Sequence, residues 1–336
     1  MRETWQEEVL RHLQDSPLRG GRTGFWLSSR VHPLRAWSEQ VWLKRDDEFG
    51  LYGSKWRKLQ GLAYAVKQEQ ADTILAWGGS RSQFLLGLVQ LGRELGRDVR
   101  LLVKEGSPRH RHGPDLLWPL LVPSASLEIV SRSAWPNIEN LAQQRAEALT
   151  AAGRKVFVVR EGGAQLEALW GALSLPLDLD QQQRESGLSF SKIWIDAGTG
   201  LTAQAMIIGL GLLQSSALCE VLLCAGNQDS FTQDLERRRD ELAAVLQRDI
   251  PLASFRCHVP SLAKSFGSTN QAVFQEIART AQDCGVLLDP IYSAKLFMQV
   301  RETQPEWTPE DRVLILHSGG TASLFGFPAE LQGLTS

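Results

Sequence analysis

The chain has 336 residues, long enough for two domains that each bury a hydrophobic core. Its formal net charge of -2 gives no basic stripe, which argues against nucleic acid and against an anionic membrane surface as partners. No apolar run is long enough to cross a bilayer, and the first eight residues are acidic and polar, unlike a signal peptide, so we expect a cytoplasmic protein. The four cysteines show neither metal-ligand spacing nor a C-x-x-C pair, which predicts reduced, partly buried thiols.

Short apolar runs alternate with longer helical patterns, which predicts parallel strands joined by crossover helices. The first set comprises strands at 73–77, 99–103, 127–130 and 156–159 and helices at 82–95 and 137–152. The second set comprises strands at 192–195, 221–224 and 313–316 and helices at 202–213, 229–246 and 271–284. The pattern predicts an α/β protein of two lobes, each a largely parallel sheet flanked by helices. In such folds ligands bind beyond the carboxyl ends of strands.

The segment Gly53-Ser54-Lys55-Trp56-Arg57-Lys58-Leu59 sets two lysines three residues apart behind a glycine turn. If Ser54 caps a helix, both amines project from one face of its first turn, where backbone N–H groups and the helix dipole favour an anion. One amine can bind a carbonyl carbon covalently while the other pairs with a phosphate. The segment therefore suits a phosphorylated aldehyde such as pyridoxal phosphate. A solvated helix start with three cations is the alternative that the segment alone leaves open.

Two glycine loops each stand between a predicted strand and a predicted helix. The loop Gly198-Thr199-Gly200-Leu201-Thr202 has the form of a phosphate-binding loop, in which backbone N–H groups and two threonine hydroxyls donate to oxygens. The loop Gly78-Gly79-Ser80-Arg81-Ser82-Gln83 places N–H groups and the Ser82 hydroxyl where a carboxylate can bind. A purely structural glycine turn is the alternative in the first case.

These motifs recur in one order together with four others, which are Trp42-Leu43-Lys44-Arg45-Asp46-Asp47, Glu161-Gly162-Gly163, Leu288-Asp289-Pro290-Ile291-Tyr292 and His317-Ser318-Gly319-Gly320. The set resembles the branch of the fold-type II pyridoxal-phosphate enzymes that holds 1-aminocyclopropane-1-carboxylate deaminase and D-cysteine desulfhydrase, from about residue 24 to residue 328. The resemblance implies the two-lobed, tryptophan synthase β-like architecture, with a larger cofactor-binding lobe at 1–58 and 164–336 and a smaller lobe at 59–163. It also implies pyridoxal 5'-phosphate as cofactor, a small amino acid as substrate and a homodimer.

The resemblance assigns the cofactor contacts. Lys55 matches the Schiff-base lysine, which also carries a proton in catalysis, and Lys58 matches its phosphate-side partner. Gln83 stands where the family has an asparagine that touches the ring oxygen, and Ser293 falls where a residue faces the pyridine nitrogen. The predicted phosphate-binding residues are Gly198, Thr199, Gly200, Leu201 and Thr202.

The resemblance also assigns the substrate contacts, with departures. Ser82 matches a residue that binds the substrate carboxylate, and Tyr292 matches an active-site tyrosine that can position substrate or exchange a proton. Arg81 replaces a commonly neutral residue, and Phe266 stands where the family often has a tyrosine. Together with Gln83, these departures bear on substrate identity more than on cofactor binding.

The reaction predicted first is β-elimination from a small amino acid to a keto acid and ammonia, as in D-cysteine desulfhydrase. A hydroxyl at Ser293 favours it over the cyclopropane-opening deaminase, which carries an acid there, although Ser293 as a helix cap is an open alternative. The motifs are also compatible with a racemase, a β-replacement enzyme and a non-catalytic homologue that binds the cofactor or a ligand. We predict no metal site, because the Arg- and His-rich segment at 106–114 matches no metal signature and suits a solvated surface loop.

Overall fold

The structure, a computed structural model, describes residues 4–14, 27–106 and 116–334. The described residues fall into two units, the first at 4–14, 55–106 and 116–171 and the second at 27–54 and 172–334. The predicted surface loop at 106–114 lies, beyond its first residue, outside the described residues. Within those ranges no helix is both long enough and apolar enough to span a membrane.

The first unit contains a parallel four-stranded sheet. Its strands are β3 (Thr73–Gly79), β4 (Asp98–Lys104), β5 (Leu127–Val130) and β6 (Val156–Val159), in the order β5-β4-β3-β6. Its helices are α1 (Trp5–Gln14), α2 (Lys55–Gln68), α3 (Gln83–Glu94), α4 (Trp118–Leu121), α5 (Ile138–Ala151) and α6 (Leu166–Ala172). Strand β3 lies between β4 and β6 and is buried over six of its seven residues, as expected for a strand of a sheet covered on both faces.

The second unit contains a six-stranded sheet in the order β1-β2-β10-β7-β8-β9. Its strands are β1 (Val31–Pro33), β2 (Val41–Lys44), β7 (Lys192–Ala197), β8 (Leu218–Leu223), β9 (Phe255–His258) and β10 (Val313–Leu316). Every pair is parallel except the antiparallel β1–β2 pair. The helices are α7 (Ser174–Ser186), α8 (Leu201–Leu212), α9 (Gln228–Leu246), α10 (Gln271–Cys284), α11 (Ser293–Thr303) and α12 (Pro328–Gln332).

The predicted α/β class is confirmed, and each predicted strand and helix is present with bounds that differ by at most a few residues. Sequence patterns do not indicate β1, β2 or β9. Each has only three or four residues, and β1 and β9 are partly exposed, so neither the length nor the alternation needed to recognise a strand is available.

The boundaries between the units differ from the predicted ones, which place residues 1–58 in the larger lobe. Helix α1 belongs to the first unit, because the His12 ring lies 4.5 Å from the Tyr64 ring and stacks on Trp170 at 4.9 Å. The first boundary falls before Lys55, where the continuous helix α2 begins, and the second falls after Gly171 instead of after residue 163.

Candidate active site

The paired lysines open helix α2 in the first unit. Lys55 is the first residue of the helix and is half-buried, and Lys58 is buried one turn further on. The Nζ of Lys58 donates to the carbonyl oxygen of Gly162 at 3.3 Å, in the turn that follows β6. Both amines therefore lie in the first turn, at the helix end whose dipole favours an anion.

The Ser82 loop follows the neighbouring strand β3. Ser82 is the N-cap of α3, and its Oγ accepts from the backbone N–H of Leu85 at 3.3 Å. That bond uses the oxygen but not the proton, so the hydroxyl can also donate to a carboxylate. Gln83 is buried, whereas Arg81 is exposed.

The loops after β3 and β6 meet at one edge of the sheet. The two strands are parallel neighbours, and the Phe84 ring packs against Gly163. The structure thus brings the Ser82 loop and the carbonyl that holds Lys58 to the same edge, which is the carboxyl edge where ligands bind in such sheets.

The Gly198–Thr202 loop joins β7 to α8 in the second unit. Gly200 is the N-cap of α8 with φ +83, a left-handed conformation that a side chain would strain. Thr199 is exposed, and Thr202 is half-buried in the first turn of a 12-residue helix. A phosphate binds to backbone N–H groups in the first turn of a helix, next to a glycine and to hydroxyl groups. The start of α8 offers all of these.

Tyr292 lies against this loop. A Cβ atom added to Gly198 would lie 3.1 Å from Cε1 of Tyr292 and 3.2 Å from its hydroxyl oxygen, so the close approach of the ring favours glycine. The ring of Phe266, which is 62% exposed, lies 6.1 Å from the Tyr292 ring. The structure therefore brings together Tyr292, the loop at 198–202 and Phe266, which stands where the family often has a tyrosine.

Ser293 is fully buried and bonded to Asp289. Its Oγ donates to Oδ2 of Asp289 at 2.7 Å and accepts from the Asp289 N–H at 2.7 Å. The same carboxylate accepts from the N–H groups of Ile291, Tyr292 and Ser293 at 2.8–2.9 Å and so caps α11. A serine hydroxyl has one proton, so donation to a ring nitrogen would require it to leave Asp289. Ser293 is thus the first residue of α11 and bonds the Asp289 carboxylate that caps the helix, and its contact with the pyridine nitrogen stays a prediction.

The His317-Ser318-Gly319-Gly320 motif follows β10, the parallel neighbour of β7. The Ser318 hydroxyl donates to Oδ1 of Asp196 at 2.7 Å and so joins the ends of the two strands. The Gly319 N–H donates to Nδ1 of His317, which leaves the proton on Nε2 to donate to the Leu287 carbonyl at 2.8 Å. His317 is fully buried and thus serves as a structural residue of this edge.

Lys295 is a buried lysine that the sequence motifs do not single out. Its Nζ donates to the carbonyl oxygen of Ala263 at 2.7 Å, three residues before Phe266. Burial lowers the pKa of Lys295, and the nearby thiol of Cys224 and carboxylate of Asp289 offset part of that change. The amine therefore fixes the loop that carries Phe266. A lone lysine in a helical pattern gives no signal of such a contact.

The four cysteines are unpaired thiols, two buried and two partly exposed. Burial raises the pKa of each thiol, that of Cys257 to about 11, so none is a ready nucleophile near neutral pH. Among the described residues no group of three or more His, Cys, Asp or Glu side chains is placed to hold a metal ion.

The chain is similar in sequence to known proteins over most of its length. It is 26% identical over 322 residues to the mitochondrial bifunctional D-cysteine desulfhydrase/1-aminocyclopropane-1-carboxylate deaminase of Arabidopsis thaliana, covering 90% of this chain and 79% of that protein. It is 27% identical over 298 residues to D-cysteine desulfhydrase of Serratia proteamaculans, covering 86% of this chain and 88% of that protein. No family model matches the chain.

Solved structures share the fold. A homologue of 1-aminocyclopropane-1-carboxylate deaminase matches with a TM-score of 0.81 at 23% identity, covering 97% of this chain and 98% of that one. Diaminopropionate ammonia lyase of Escherichia coli in its apo form matches with a TM-score of 0.66 at 12% identity, covering 98% and 91%. The chain has the fold-type II architecture of these pyridoxal-phosphate enzymes, and the resemblance found in its motifs is confirmed.

Proposed function

We propose that this protein is a pyridoxal-phosphate-dependent lyase that acts on a small amino acid by β-elimination, with D-cysteine as its preferred substrate. The proposal rests on the position of Lys55, which is the first residue of α2 and lies one turn before Lys58, in a chain with this fold. The D-cysteine desulfhydrases among its relatives support the choice of reaction.

The residues of each unit fit the cofactor. Lys55 supplies the amine that binds its aldehyde carbon, and Lys58 supplies a fixed positive charge for the phosphate. The start of α8 offers its unpaired N–H groups together with the hydroxyls of Thr199 and Thr202. When bound, pyridoxal phosphate supplies the electron sink for the negative charge that develops at the substrate's α-carbon.

The chain's own side chains bind the substrate and move protons. The Ser82 hydroxyl and the N–H groups at the start of α3 bind the substrate carboxylate, since Ser82 still has its proton to donate. Once the substrate amine has displaced it, the Nζ of Lys55 takes the α-proton. The hydroxyl of Tyr292, fixed against Gly198, holds a proton for the leaving group.

The test is product analysis with the purified, cofactor-loaded protein. D-cysteine should give pyruvate, ammonia and sulfide, with Lys55→Ala inactive and the exposed Lys155→Ala variant as active as the wild type. A loaded wild-type protein that releases no keto acid from any D- or L-amino acid would overturn the proposal.

The same assay separates the competing reactions. Ring opening of 1-aminocyclopropane-1-carboxylate gives 2-oxobutyrate and ammonia, and this activity is part of the Arabidopsis relative's name. A racemase inverts the amino acid without releasing ammonia, and a β-replacement enzyme turns over only with an added nucleophile. A protein that binds the cofactor but releases and inverts nothing is a non-catalytic homologue.

Assembly and location complete the proposal. We infer a homodimer from the resemblance, and light scattering of the purified protein at two concentrations measures it directly. We also propose that the protein acts in the cytoplasm, and fractionation of cells that express it measures its location directly.

A further inference from the structure

We propose that Gln204 and Arg238 are positioning residues for the Gly198–Thr202 loop and tune its affinity for the phosphate group of the cofactor. The inference rests on the proposed function and extends it to two buried side chains outside the predicted ligand contacts. Gln204 is fully buried on α8, and Arg238 on α9 is 2% exposed.

The loop rests on the Gln204 side chain. A Cβ atom added to Gly200 would lie 3.1 Å from Nε2 of Gln204 and 3.2 Å from the ring of Phe231. The backbone N–H of Gln204 donates to the Gly200 carbonyl at 2.9 Å, which is the first hydrogen bond of the helix. The side chain of Gln204 and its backbone therefore both contact the residue that gives the loop its turn.

Both ends of the Gln204 side-chain amide are held by hydrogen bonds. Its Nε2 donates to the carbonyl oxygen of Phe231 at 3.1 Å, and its Oε1 accepts from Nη1 of Arg238. Because these two bonds set the orientation of the amide, the loop meets a rigid polar surface. Positioning of a binding group by such outer contacts is a recurrent source of affinity.

Arg238 also brings a positive charge into the interior next to that amide. Its acidic neighbour Asp234 is 44% exposed, and the two charged groups are 3.8 Å apart. In a medium of low dielectric constant the field of a guanidinium extends over several ångströms and favours a phosphate dianion. The pair thus combines orientation of the loop with a potential that favours an anion there, so we expect both effects to depend on the phosphate.

The experiment compares pyridoxal phosphate with pyridoxal, which lacks the phosphate. The dissociation constants of both are measured by absorbance titration of the full chain after its cofactor has been removed with hydroxylamine. The variants are Gln204→Leu, Arg238→Met and Gln204→Glu, the last of which keeps the size of the side chain but neutralises the field of Arg238. Thr280→Val is the matched control, since the buried Thr280 hydroxyl donates at 2.9 Å to Glu276 within the same unit.

We expect each of the three variants to weaken pyridoxal phosphate binding about tenfold or more, a change as large as one charge-assisted hydrogen bond contributes, with pyridoxal binding changed less than about twofold. The control should leave both constants unchanged. The inference is overturned if folded Gln204→Glu and Arg238→Met keep the wild-type ratio of the dissociation constants of pyridoxal phosphate and pyridoxal. That result would leave the proposed function standing. A wild-type chain that binds neither compound overturns the proposed function as well.

Discussion

At the scale of single residues, Ser82 carries both a structural bond and a proposed substrate contact. Replacement of Ser82 by Ala removes the N-cap of α3 and should lower the free energy of unfolding by about 1 kcal/mol. It should also raise KM for the amino acid about tenfold to a hundredfold, because a hydrogen bond to a charged group contributes about 1.5–3 kcal/mol. Steady-state kinetics and the bound cofactor content measure the two effects.

The control for this variant is Asn270→Ala, which removes the N-cap bond that Val273 N–H makes at 3.1 Å in the second unit. It should cost the same stability and leave KM unchanged. Loss of bound cofactor in Ser82→Ala would instead place Ser82 in the cofactor site.

Ser293 offers a second test at the residue scale. Because its hydroxyl is bonded to Asp289 in both directions, Ser293→Ala should lower the stability by about 1–3 kcal/mol through unpaired groups at the start of α11. The pH dependence of the bound cofactor's visible absorbance should stay as in the wild type. A shift of that pH profile would show that Ser293 reaches the ring nitrogen, as the resemblance implies.

At the scale of elements, the start of α8 is where the proposed phosphate site can be tested by backbone strain. Gly200→Ala forces a side chain into a left-handed conformation and against Gln204 and Phe231, so we expect a lower affinity for pyridoxal phosphate as well as a loss of stability. Equilibrium titration with the cofactor measures the affinity.

The matched control is Gly187→Ala at the end of α7, where φ is +68 and nothing lies within 4 Å of the added Cβ. Both variants share the backbone strain of about 1 kcal/mol, which is the usual advantage of glycine there. Equal affinities of the two variants for pyridoxal phosphate would show that the loop at Gly198–Thr202 does not bind the phosphate.

The elements themselves are largely predictable from sequence. Apolar runs such as those of β3 and β10 are buried along their length, and the amphipathic pattern of α10 ends at a glycine that caps it. Strands β1 and β9 escape prediction because they are short and partly exposed, and β2 does so because its apolar run ends at Lys44 after three residues.

At the scale of the whole molecule, seven ordered motifs predict the fold type, whereas the contacts that support the site cannot be read from the sequence. Gln204 and Arg238 are 34 positions apart, and nothing in either segment marks them as partners. The bond from Lys295 to Ala263 spans 32 positions in the same way. The boundary before Lys55 is hidden because the motif Gly53–Leu59 runs across it. Motifs thus indicate which groups meet a ligand, and tertiary packing alone shows what positions them.

The central claim is that Lys55 binds pyridoxal phosphate covalently, and one measurement tests it most directly. The protein as purified from cells is treated with borohydride, digested and analysed by mass spectrometry. We predict a visibly yellow protein and a pyridoxyl-phosphate mass fixed on Lys55, with no label in Lys55→Ala and full labelling in the exposed control Lys155→Ala. A label fixed on any other lysine, or a cofactor-saturated wild-type protein that takes up no label, would contradict the account.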